Sequence, residues 1–142
     1  MTNKAKRYTD HEIQSLIQGF ETQQVSKTEW THAAHLVVAI WYSSKYDEKE
    51  ALDRVRHLII KHNEAVGTIN SDSSGYHETI TRFWLRTARQ FLATHRFDKL
   101  TTATNAFIQS QYGQSDWILN FYTKADLSNP AFRLDSSIAI KK

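Results

Sequence analysis

The chain has 142 residues, a length that fits one domain with a substantial core. It contains no cysteine, which excludes disulfides, thiolate metal ligands and a cysteine nucleophile. The net charge is +3, but Lys4, Lys6, Arg7, Lys141 and Lys142 lie near the two ends, and setting those five aside leaves a body two charges negative, a poor platform for nucleic acid.

The basic start, Met1 to Arg7, is followed by the polar run Tyr8-Thr9-Asp10-His11-Glu12, so no secretory signal is expected. Residues 1–8 and 134–142 read as tails. Thr9 or Asp10 can cap a first helix, on which Ile13, Leu16, Ile17 and Phe20 fall at helical spacing and form an amphipathic stripe. The second helix is expected from about Thr28–Trp30 to Ser44. Its residues from Ala33 to Tyr42, His35 apart, are apolar all round, which marks a buried helix too short to span a bilayer. A cytoplasmic protein without a membrane segment is the expectation.

Asp47 opens a third helix, with Glu48 and Glu50 in its first turns and Leu52, Val55, Ile59, His62 and Val66 on its inner stripe. Gly67 suits its C-terminal end. The Gly/Ser/Asn-rich stretch from Gly67 to Gly75 is a long connection of the kind that carries function. Ser74 can cap a fourth helix running from about Tyr76 to His95, with His77, Thr81, Trp84, Ala88 and Phe91 on its buried face. Asp98 can cap a fifth helix, Gly113 breaks the chain, and Trp117 to Tyr122 forms a short sixth. Ser128-Asn129-Pro130 starts at most one further turn, with proline in the first-turn position. The expected fold is all-α, a single-domain irregular bundle of five to six helices.

Histidines at the starts of the two most apolar helices are the feature a chain that only needed to fold has least use for. His32 and His35 lie one turn apart and project to the same side. If the second and fourth helices start at the same end, His32, His35 and His77 converge. Three imidazoles suit zinc, iron or nickel with a coordination position left open. In that arrangement Glu78 and His77 are the candidate acid–base groups, and Trp30, Asn63, Thr68, Asn70 and Tyr76 the candidate ligand-binding ones. Set against this, a buried histidine is often satisfied by backbone carbonyls, Glu78 can pair with Arg82 four residues on, and His62 reads as a core-edge residue. Arg82, Arg86, Arg89 and Arg96 give the fourth helix a basic edge, most simply a solvated face. Phe83, Trp84, Trp117, Phe121 and Tyr122 read as core aromatics.

The stretches Trp30-Thr31-His32-Ala33-Ala34-His35-Leu36, Asn63 to Asn70, and Gly75-Tyr76-His77-Glu78-Thr79-Ile80-Thr81 resemble a family of small all-helical bacterial proteins of about this length. The resemblance spans Trp30 to Leu92 and implies a shared site at these positions, with no chemistry attached. Three-histidine bundles of the DinB-like, metal-dependent kind are similar only in architecture and ligand type. The first expectation is a metal-assisted or acid–base enzyme acting on a small molecule. The alternative is a non-catalytic helical module binding a small ligand or a partner protein. It expects histidines hydrogen-bonded within the protein and no open pocket at the helix starts. A homodimer fits either.

Overall fold

The computed structural model describes residues 6–134, and within them the fold is all-α. Seven α-helices follow one another: α1 (Asp10–Glu21), α2 (His32–Lys45), α3 (Glu48–Val66), α4 (Glu78–Thr94), α5 (Leu100–Gln109), α6 (Lys124–Ser128) and α7 (Pro130–Leu134). The expected five to six becomes seven because α6 and α7 have five residues each, too few to show a helical period. The sixth element read from the sequence is instead a 3-10 turn, Trp117–Asn120.

Local chemistry sets most ends. Thr9 caps α1 in a reciprocal box with Glu12, and Thr123 with Asp126 does the same for α6. Asp47 accepts from Glu50 N at the start of α3, and Gly67 ends that helix in the left-handed conformation at φ 83°. α2 starts later than expected, at His32, because the Thr31 hydroxyl accepts from Ala34 N and makes residue 31 the cap. Asn129 Oδ1 accepts from Ala131 N, so Pro130 takes the first helical position of α7.

α2 is the centre. Leu36, Val37 and Ile40 on it are fully buried, and α1, α3, α4 and α5 all pack on it. Both of its ends reach the middle of α4. The His32 ring meets Trp84 at 5.0 Å, and Ser43 Oγ donates to Leu85 O. Burying side chains of this size contributes roughly 1.5–3 kcal/mol each. α1 closes one side by stacking Phe20 on Trp30 at 5.1 Å.

The tails read from the sequence are shorter than expected. Tyr8 is buried, and its backbone exchanges two 2.8 Å hydrogen bonds with the side chain of buried Asn105 on α5. Leu134 is the last residue of α7, whose Arg133 donates to Gly75 O. The remaining tail positions, 1–5 and 135–142, lie outside the described residues. No helix among the described residues is long and apolar enough to cross a membrane.

Candidate functional site

His77 is the N-cap of α4, the place expected for Ser74, whose hydroxyl instead donates to Ile69 O within the loop. Its Nδ1 accepts from Ile80 N at 3.2 Å and its Nε2 donates to Leu127 O at 2.8 Å. Both ring nitrogens are therefore engaged, and neither offers a lone pair to a metal ion. His32 rests on Trp84, two turns along α4 from His77, and donates through Nε2 to Gly113 O at 2.9 Å. His35 donates through Nδ1 to Thr31 O at 2.7 Å and packs at a 34° tilt against Trp30, ring centroids 3.9 Å apart. The three imidazoles are thus held by three different parts of the chain. Among the described residues no three His, Asp or Glu side chains are grouped to hold a metal ion.

Trp30 carries a second imidazole, that of His62 on α3, at 5.0 Å. His62 is not at the core edge but fully buried, and neither ring nitrogen finds a hydrogen-bond partner in the protein. Burial lowers the pKa of all four histidines. The carbonyls of Gly113, Thr31 and Leu127 work against the shift at His32, His35 and His77, yet His35 still falls to about 4. Near neutral pH these rings are uncharged.

Glu78 pairs with Arg56 of α3 rather than with Arg82. The guanidinium grips it at 2.9 and 2.7 Å, and the Tyr76 hydroxyl donates to the same carboxylate at 2.7 Å. Burial pushes this carboxyl up, but the bonds from Arg56 and Tyr76 and the charges of Arg56 and Arg82 outweigh it, and the net shift is downward. Asn63, Thr68 and Asn70 organise the loop. Asn63 Nδ2 and Tyr76 N both donate to Asn70 Oδ1, Asn70 Nδ2 donates to Ile60 O, and Thr68 N donates to Asn63 O. The residues expected to bind ligand are here bound to one another.

The basic edge of α4 is likewise engaged. Arg82 and Arg86 donate to Glu48 on α3, and Arg89 donates to the carbonyls of Ser43 and Tyr46.

Open space lies along α4, where the segment after α5 runs across it. One cavity of about 410 Å³ has walls of Phe91, Tyr112, Trp117 and Phe121, with Thr87, Gln90, Thr94 and His95 at its edges. A second, about 250 Å³, continues past Thr87, Gln90 and Phe121, which it shares, to Arg82, Arg86 and Tyr122. From Arg82 to Thr94 this groove follows α4 for about 18 Å at a rise of ~1.5 Å per residue. Neither cavity is lined by His32, His35, His77 or Glu78. Of the residues read as core aromatics, Phe83, Trp117, Phe121 and Tyr122 are only half-buried, and all four contribute to groove walls. The signal was the density of rings between Tyr112 and Tyr122, in a segment too broken by Gly113 to bury them all on a helix. No family model, curated protein or solved structure matches this chain.

Proposed function

We propose that the chain is a non-catalytic helical module that binds a small organic molecule in the groove along α4. The observation that carries this is the pair of adjoining cavities with aromatic walls, Gln90 at their junction and guanidinium groups at one end. Together they fall within the ~300–1,000 Å³ typical of small-molecule sites. Aromatic walls with a few polar groups give such a site affinity from the rings and orientation from the polar atoms. A general base has to reach its substrate and hold a pKa near the working pH. Glu78 is enclosed by Arg56 and Tyr76 with its pKa lowered, so its geometry favours a role in joining α3 to α4.

Gln90 is exposed and belongs to both cavities, so Gln90→Trp plugs the groove without touching the core. Uncharged N-phenyl-1-naphthylamine, which fluoresces in apolar surroundings, is the probe. The expected result is saturable binding to the wild-type chain and at least a tenfold loss in Gln90→Trp. Equal binding to both proteins, or no saturable binding to either, overturns the proposal.

A further inference from the structure

The larger cavity is walled by rings set at steep angles. Tyr112 and Trp117 meet at 89° with centroids 5.0 Å apart, and Trp117 and Phe121 at 69° and 5.7 Å. Phe91 also lines the cavity, 6.4 Å from Tyr112, and His95, another lining residue, stacks on it. No Lys, Arg, Asp or Glu lines this cavity. The face of an aromatic ring carries negative potential. Several rings converging on one space therefore attract a cation that sheds water readily, and a quaternary ammonium is the cation that does so most easily.

The adjoining compartment has the opposite character. Arg82 and Arg86 both line it, and both donate to Glu48 Oε2. Tyr122 lines the same compartment; burial raises its hydroxyl pKa, the charges of Arg86 and Arg82 work against that rise, and Asp126 adds to it. Guanidinium pairs suit phosphate or carboxylate oxygens. The two compartments meet at Thr87, Gln90 and Phe121, so one short molecule can reach both.

We propose that the groove binds a zwitterion, its quaternary ammonium among Phe91, Tyr112, Trp117 and Phe121 and its phosphate or carboxylate at Arg82 and Arg86. This rests on the groove being a binding site, so the experiment separates the two claims. Calorimetric titrations of the full chain use choline, phosphocholine and 3,3-dimethyl-1-butanol, the uncharged isostere of choline. Choline is expected to bind roughly tenfold or more tightly than the isostere, the scale of a partly desolvated cation–π contact. Arg86→Gln is expected to weaken phosphocholine several-fold and leave choline unchanged. Trp117→Leu is expected to abolish both, with Tyr112→Leu as a second variant and helical circular dichroism as the check on folding. Phosphatidylcholine vesicles added as competitor show whether the zwitterion is a lipid headgroup or a free solute; either source supports the shared chemistry. Equal affinity for choline and the isostere overturns the zwitterion. So does silence from both choline and phosphocholine while the naphthylamine probe still binds, which leaves the groove intact as a site. Silence from the naphthylamine probe as well brings down the groove itself.

Discussion

A left-handed glycine can be required by its own backbone or by what surrounds it, and this chain has one of each beside the histidine loop. Gly67 and Gly75 have φ of 83° and 77°. A Cβ on Gly67 meets nothing within 4 Å, so Gly67→Ala is expected to cost only the backbone term, about 1 kcal/mol. A Cβ on Gly75 lands 2.5 Å from Ile69 O and 2.6 Å from Asn70 Oδ1. Asn70 Oδ1 also holds Tyr76 N and Asn63 Nδ2, so a shift there disturbs the approach to α4. Gly75→Ala is expected to cost about 3 kcal/mol, adding that disruption to the backbone term. Urea unfolding of the two variants checks this, and equal losses would contradict it. His77 follows the same logic of position. Its ring satisfies one donor at the start of α4 and one carbonyl of α6, which explains an imidazole there without any chemistry at a substrate.

The elements most legible in sequence were those whose signals are local. The α1 stripe, the Asp47 cap, the Gly67 stop and the proline start of α7 each follow from a few adjacent residues. Partners across elements were not legible. Glu78 and Arg82 are four apart on one helix, yet Arg56 of α3 reaches Glu78 first, because packing turns that face of α4 toward α3. Convergence of His32, His35 and His77 needed helix starts at one end. Instead both ends of α2 meet the middle of α4, and each ring is bonded by whatever backbone lies next to it. The α3–α4 clasp makes its own prediction. Glu78→Gln removes one side of a part-buried, two-point ion pair and leaves Arg56 with Asp53 alone, an expected cost of about 2 kcal/mol. Tyr76→Phe is expected to cost about 1 kcal/mol, and the double variant less than the sum because both bonds end on one carboxylate. Chemical denaturation of the three proteins checks this, and a loss of only a few tenths in Glu78→Gln would show that the clasp carries no weight.

At the scale of the whole molecule, four neutral histidines inside a small helical domain make stability depend on pH in a stated direction. The folded pKa of His35 is about 4 against an ordinary 6.5, and those of His32, His62 and His77 are also lowered. Between those values the unfolded chain binds protons that the folded chain refuses, so stability rises with pH across the window and is lost as pH falls from about 6.5 toward 4. By pH 5 His35 alone is expected to remove about 2 kcal/mol, from ~1.4 kcal/mol per unit over the interval below 6.5. Carboxylates with lowered pKa, Glu78 and Glu48 among them, lose their share only below their ordinary 4.5, so the interval from 6.5 to 5 reports on the imidazoles. The urea midpoint is expected to drop by on the order of 1 M between pH 7.5 and pH 5, at a slope of roughly 1–3 kcal/mol per molar. In His35→Gln the drop is expected to shrink even if the variant is less stable throughout, because the slope with pH counts protons and not contacts. Identical midpoints at the two pH values would mean that these rings are charged inside the fold, and would place partners around them other than the carbonyls of Thr31, Gly113 and Leu127.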